Sequence, residues 1–462
     1  MGIALVFVAA AAAVVLHRTG GDGPRFAHPD EWDERVVDLV EFVEDARGLR
    51  FDHPVFVDFL SVDDYRAAAT ADAADLTDDD RDALLRDVAV LRALGLATGE
   101  VDLFEAVNTV VDGSTLAFYD TDDGRIRVRG TELTVGVRVT LVHELTHALQ
   151  DQAFDLRRVH DDRLEDAERL SLRGIVEGDA MRIETRYVDQ VLDDAARAAY
   201  EAERRADAAS SEEATAEVPG YLTASFATPY VLGAPFVALL DASGGNGAVD
   251  AALRDPPTTD EHLFDPVSHL ADEGAKALEL DLGDVEVHED GFFGPAAWYL
   301  VLAERIDPFA ALDAALGWGG DAYAVFERDG ATCVRAAFAG DAPDDEVELA
   351  DALEAWVAAL GHDRARTLEV DGRPGFEACD PGPDAEVELT ERTRDALALP
   401  SVRAYLVAAA AGFAPRDADA ASCFAGAVLE TLRWEDVVDP SGAAFAGDDF
   451  QRQMLDAMLA CA

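Results

Sequence analysis

The segment Leu141-Val142-His143-Glu144-Leu145-Thr146-His147-Ala148-Leu149-Gln150-Asp151 holds the residue types best suited to chemistry in this chain. Histidines four apart on a helix project from one face, at a separation that lets both imidazoles bind a single Zn²⁺. The glutamate beside the first can then reach a water held by the ion without being a ligand, which suits Glu144 to the work of a general base. The surrounding stretch, Val135 to Gln150, is apolar on nearly every face apart from this group. That pattern describes a buried helix. Two imidazoles and a carboxylate buried together are costly without a compensating ion.

Zinc that does chemistry takes three protein ligands and keeps a fourth position open. One extension of the motif needs glycine at 150 and histidine at 153, where this chain has Gln150 and Ala153. A thiolate from upstream is not available either, because the first cysteine is Cys333. What remains is a carboxylate on a following helix. Glu177, within Gly174-Ile175-Val176-Glu177-Gly178-Asp179-Ala180, is the best candidate, since its small neighbours let that helix come close to the first. Glu168 and Glu184 lie on a similar helical face in more polar surroundings, as solvated charges do, and His160 is a further alternative.

The string from His143 to Asp151 resembles the active-site helix of the thermolysin-like gluzincins. The longer run HELTHALQDQAFDL, followed by VEGDA, resembles a set of uncharacterised exported metallopeptidase-like proteins, over about residues 50 to 330. Gly317-Trp318-Gly319-Gly320-Asp321, physically a tight turn capped by an aromatic, belongs to that likeness. The resemblance implies a zinc-dependent peptidase with His143, His147 and Glu177 as metal ligands and Glu144 as base. Thermolysin-like enzymes place Asn before the third ligand and Asp four residues after it; this chain has Val176 and Met181 there. Asp179 then becomes a candidate to orient a ligating histidine, with Asp151, one turn past His147, as the other. A peptidase also needs a donor for the oxyanion of its tetrahedral intermediate. Tyr230 is a candidate, as are His262 and Arg182, although packing or surface roles are the ordinary use of all three.

Several elements must position these residues. Trp32 to Leu49 reads as an amphipathic helix, Pro54 to Leu60 as a strand and Asp79 to Leu94 as a helix. Thr115 to Tyr119 and Arg125 to Arg129 form a hairpin turned by Asp122-Asp123-Gly124. Its edge is placed to hold an extended peptide by strand addition. Leu164 to Arg205 reads as one long helix or two in succession, with further helices around Pro229–Leu240, Pro295–Ile306 and Val347–Leu360. Turn-rich joints occur at Gly340-Asp341-Ala342-Pro343 and Asp380-Pro381-Gly382-Pro383. The expected fold is α+β and mainly helical. A zincin-like domain at 25–340 carries a small sheet beside the HExxH helix, followed by a connecting region at 341–395 and a helical C-terminal region at 396–462.

Composition bounds the setting. The 94 acidic residues outnumber 37 basic ones, giving a net charge of −57, and Lys276 is the only lysine. No basic patch of any length exists, which excludes nucleic acid as a partner. The acidic excess is spread along the chain, as in Asp78-Asp79-Asp80, and fits a very salty environment in which screening relieves self-repulsion. Residues 1–24 contain an apolar run from Ile3 to Leu16, the length of a signal peptide core and short for a membrane span. No basic residue precedes the run, so a signal peptide and an uncleaved N-terminal anchor both fit. Either predicts an extracytoplasmic protein, secreted or anchored, that meets a membrane only through this segment. Cys333, Cys379, Cys423 and Cys461 lie in the last third without any CxxC pair. In an exported chain they suggest two disulfides, with nearest-neighbour pairing joining Cys333 to Cys379 and Cys423 to Cys461. These strands converge on zinc-dependent hydrolysis of a peptide or protein substrate. The rivals are a cell-surface binding or scaffold protein with a structural zinc, and a zinc hydrolase of a non-peptide amide.

Overall fold

Strand β1 (Phe56–Leu60) and the hairpin strands β2 (Ala117–Asp120) and β3 (Arg125–Arg129) form a three-stranded sheet in the order β1-β3-β2. The hairpin closes where expected because Gly124 accepts φ +69°, which residues with a Cβ resist. β1 runs parallel to β3 and β2 antiparallel to it, so β2 is left at an edge. Helix α1 (Val37–Arg47) buries Leu39, Val40 and Val43 in a core shared with Ile126 and Val128 of β3. Helix α2 (Asp78–Ala93) starts behind a Thr77–Asp80 capping box. The computed structural model describes residues 26–160, 164–280, 282–283, 285–439 and 441–461, and the expected signal or anchor at 1–24 lies outside them. Among these residues the fold is α+β and mainly helical, with two small sheets.

Helix α3 (Val135–Phe154) carries the HExxH residues and packs on this first sheet, burying Leu141, Val142, Leu145 and Leu149. The stretch 164–205 is two helices, α4 (Asp166–Gln190) and α5 (Asp194–Ala214), because the Asp193 carboxylate accepts from Ala196 N–H and starts a new helix. Helix α6 (Gly220–Arg254) is far longer than the expected 229–240 and runs through Pro229 and Pro235 before kinking at Gly244–Gly245. Pro235 has no N–H for the carbonyl of Val231; the Ser401 hydroxyl donates to that carbonyl instead, at 3.2 Å. By length and apolarity α6 could cross a bilayer, but Tyr221, Leu222, Leu232 and Phe236 are buried in the protein core. It is apolar on all sides because it is enclosed.

Gly174 and Gly178 do allow a close helix approach, but not to α3 as the sequence suggested. A Cβ on Gly178 would lie 2.3 Å from the carbonyl oxygen of Gly233, and one on Gly233 would lie 2.0 Å from that of Gly174. The glycines seat α4 on α6, and Glu177 between them is thereby turned to α3.

A five-stranded sheet follows, in the order β4-β5-β6-β8-β7, from β4 (Val287–Gly291), β5 (Trp318–Arg328), β6 (Ala331–Gly340), β7 (Ala365–Val370) and β8 (Arg373–Cys379). Its strands cross residue 340: β6 pairs with β8, and a disulfide joins Cys333 to Cys379 across that pair. Helix α7 (Gly294–Ala303) is wholly buried behind it. The stretch 317–321 opens β5, where the buried Asp321 carboxylate accepts from Phe293 N–H, Gly294 N–H and the Trp318 indole. Helices α8 (Pro343–Ala359), α9 (Ala398–Ala410), α10 (Ala418–Leu429) and α11 (Asp448–Cys461) complete the chain, with a second disulfide between Cys423 and Cys461.

Candidate metal centre

From α3, the rings of His143 and His147 face α4. Each Nε2 lies 3.2 Å from the same carboxylate oxygen of Glu177. The two rings meet edge to face with centroids 4.6 Å apart, and one donor atom from each of the three residues falls within 4.8 Å of the others. All three sit below the surface, the histidines 9% exposed.

The other nitrogens decide what this arrangement requires. His143 Nδ1 lies 3.2 Å from Glu184 Oε2, and an ionised carboxylate can only accept, so Nδ1 carries the proton. His147 Nδ1 lies 3.0 Å from Gln150 Oε1. The Gln150 amide is oriented by its own Nε2, which donates to Asp179 at 2.9 Å and to the carbonyl of Val176 at 3.1 Å. His147 Nδ1 is therefore also a donor. In neutral rings this leaves both Nε2 atoms as bare lone pairs aimed at an acceptor-only carboxylate. Three lone-pair donors with no proton among them fit a cation. Without one, protons must take its place: against burial, Glu177 draws the affinity of both imidazoles for a proton upward. Burial likewise works to raise the Glu177 carboxyl, yet the histidines outweigh it and hold it well below the usual carboxylate range. Two nitrogens and one oxygen at this spacing are a donor set that could hold a divalent transition-metal ion, zinc among them.

Glu144 is buried beside them and its Oε2 accepts the Tyr119 N–H at 2.8 Å. Burial raises its carboxyl, which the two histidines only partly offset. Asp151 touches neither histidine: it accepts from the Tyr119 hydroxyl at 2.8 Å and from Leu156 N–H, and so steadies the strand residue that holds Glu144. Asp179 acts on His147 one residue removed, through Gln150. It is itself clamped by Arg47 at 2.8 Å and Arg182 at 2.7 Å.

Tyr230 does reach the centre. Its ring stacks on His143 at 6.4 Å, and burial together with the Glu177 charge keeps its hydroxyl protonated, well above the usual range. The other two oxyanion candidates are engaged elsewhere: Arg182 pairs with Asp179 and Asp241, and His262 meets the carbonyl of Glu273. Of the alternative ligands, His160 is exposed outside the cluster. Glu184 is not the solvated charge its sequence surroundings suggested. It spans His143 and the Tyr200 hydroxyl, which donates to it at 2.9 Å. Its place was visible in one respect, since seven residues put it two turns from Glu177 on the same helical face. Gln150, three residues past His147 on that face, carried a similar cue, whereas nothing in the sequence singled out Tyr119, Tyr200 or Arg47.

Comparison of the chain with protein-family models, with curated proteins and with solved structures gives no match in any of the three.

Proposed function

We propose that this protein is a zinc-dependent peptidase, its centre carried on a zincin-like domain. The observation that supports this most is the pair of histidines whose Nδ1 protons are spoken for, leaving two Nε2 lone pairs and the Glu177 carboxylate converging on one point. A zinc ion bound by His143, His147 and Glu177 supplies a Lewis acid that polarises a carbonyl and acidifies water.

The chain's own residues do the rest. Glu144, held by the Tyr119 N–H and next to both ligating histidines, takes a proton from the attacking water and hands it to the leaving amine. The protonated Tyr230 hydroxyl, on the ring stacked against His143, donates to the oxyanion as it forms. Edge strand β2 favours a peptide as substrate. Residues alternate along an antiparallel edge, and since Tyr119 N–H turns to the centre and not to β3, the outward groups of Ala117 and Tyr119 border the site. The two disulfides agree with an extracytoplasmic location, and the charge of −57 with concentrated salt. Glu144→Gln tests the reading: peptide hydrolysis in molar KCl should fall by about 10²–10⁴-fold. Undiminished hydrolysis would remove Glu144 from the mechanism.

A further inference from the structure

A second group of converging carboxylates lies away from this centre. Glu261 sits on the short helix Glu261–Phe264, Glu273 follows the helix Pro266–Ala271, and Asp341 follows β6. One oxygen from each lies within 4.8 Å of the others. Glu261 is 4% exposed, whereas Glu273 and Asp341 are open to solvent. Acidic residues gathered on the surface of so acidic a chain mean little, so the buried member matters. None of the three carboxylates accepts a hydrogen bond or forms an ion pair among the described residues. Lys276 is close by, but its ammonium donates to the main-chain carbonyls of Gly340 at 2.6 Å and Asp341 at 3.0 Å. Neighbouring Asp265 is already paired with Arg403.

A buried, unpartnered carboxylate facing two more is strongly unfavourable unless something positive joins them. Burial and then the charges of Asp341 and Glu273 push the Glu261 carboxyl up to about 9. The backbone also keeps space for Asp341, since a Cβ on Gly319 would lie 2.6 Å from its Oδ1. We propose that Glu261, Glu273 and Asp341 form a second cation site, for a hard divalent ion of the calcium class, that ties the 261–276 segment to the end of β6.

The donors are all oxygen, which selects a hard ion over zinc. Two of the three side chains are exposed and free to adjust, which suits the irregular shell of calcium better than the strict octahedron of magnesium. The site bears on the first centre through packing. Leu263, two residues from Glu261, fills the space in which a Cβ on Gly174 would lie 2.1 Å from its Cδ2. Calcium there fastens the element that backs the turn of α4 preceding Glu177. The proposal does not depend on what the His143 centre catalyses.

The test uses the full chain, stripped of metal, returned to one equivalent of zinc and kept in concentrated KCl. Calcium alone is then titrated, with bound calcium and unfolding temperature as readouts. The parent should bind one calcium ion and unfold at a higher temperature, with its zinc content unchanged. Glu261→Gln should lose about 100-fold or more in calcium affinity, and its unfolding temperature should stop responding. In calcium-free buffer the order reverses: Glu261→Gln should outlast the parent, because the parent must either take up a proton at Glu261 or bury its charge beside two others, and the glutamine does neither. Asp341→Asn, at an exposed position, should lose calcium in the same way if Glu261→Gln folds poorly. A parent that binds no calcium, variants that respond as the parent does, or an equal response to magnesium would each overturn the proposal.

Discussion

Asp179→Asn separates the stability of the centre from its hold on metal. Asp179 and Arg47 are both fully buried and 2.8 Å apart, and Arg182 reaches the other carboxylate oxygen at 2.7 Å. Removing one partner of a buried pair typically costs about 3–5 kcal/mol. Here Arg47 keeps Asp250 at 2.7 Å and Arg182 keeps Asp241 at 2.6 Å, which argues for the lower end, about 3 kcal/mol. For a chain of this size the unfolding entropy is roughly 1 kcal/mol/K, so the unfolding temperature should drop by about 3 °C. Zinc binding should weaken as well. Gln150 keeps the carbonyl of Val176, but the asparagine offers one acceptor oxygen in place of two, for which Gln150, Arg47 and Arg182 compete, so His147 is less firmly oriented, and a loss of about tenfold in affinity is expected. Asp241→Asn is the control: it disturbs Arg182 and Arg186 but not Gln150. Thermal unfolding and a competitive zinc titration, both in molar KCl, compare the two variants. Equal zinc affinities for Asp179→Asn and Asp241→Asn would refute the orienting role of the Gln150–Asp179 link.

Two further outcomes concern charge. With a net charge of −57, the unfolding temperature should climb steeply as KCl is raised through the molar range, and a flat response would contradict the salt reading. Burial, together with the Asp321 charge, raises the Asp260 carboxyl to about 7, and burial raises Asp321 to about 6. Raised carboxyls favour the folded state while protonated, so this stability is full below about pH 4 and is lost as pH rises through 6 and 7. Asp260→Asn should flatten that decline and unfold at a higher temperature than the parent at about pH 8. Parallel pH profiles for the two proteins would exclude it.

The centre was more legible in the sequence than the frame around it, for physical reasons. His143, Glu144 and His147 share one helix, so their relative placement follows from helical geometry alone. Glu177 could be singled out because its glycine neighbours signal close packing, yet the same glycines misled about the partner. Sequence shows that a Cβ is missing and not which backbone fills the space; here it is Gly233 of α6. Glu184 looked solvated because Thr185 and Arg186 follow it, and only tertiary packing brings His143 and Tyr200 against it. The length of α6 was hidden at one end by Pro229, which suits the first turn of a helix and so read as its start, and at the other by Gly244–Gly245, where the helix kinks. A hydroxyl 170 residues away satisfies the carbonyl left free by Pro235. The second sheet was missed because β5 and β6 are apolar on both faces and lack the alternation that marks a half-buried strand.

Zinc content of the purified full chain tests the central claim most directly, measured for the parent, Glu144→Gln and Glu177→Ala after dialysis against metal-free concentrated KCl. The account predicts about one zinc ion per chain in the parent and in Glu144→Gln, and loss of most of it in Glu177→Ala, because of the two glutamates Glu177 alone supplies a ligand atom. A parent without zinc, or a Glu177→Ala variant that keeps its full complement, would contradict it.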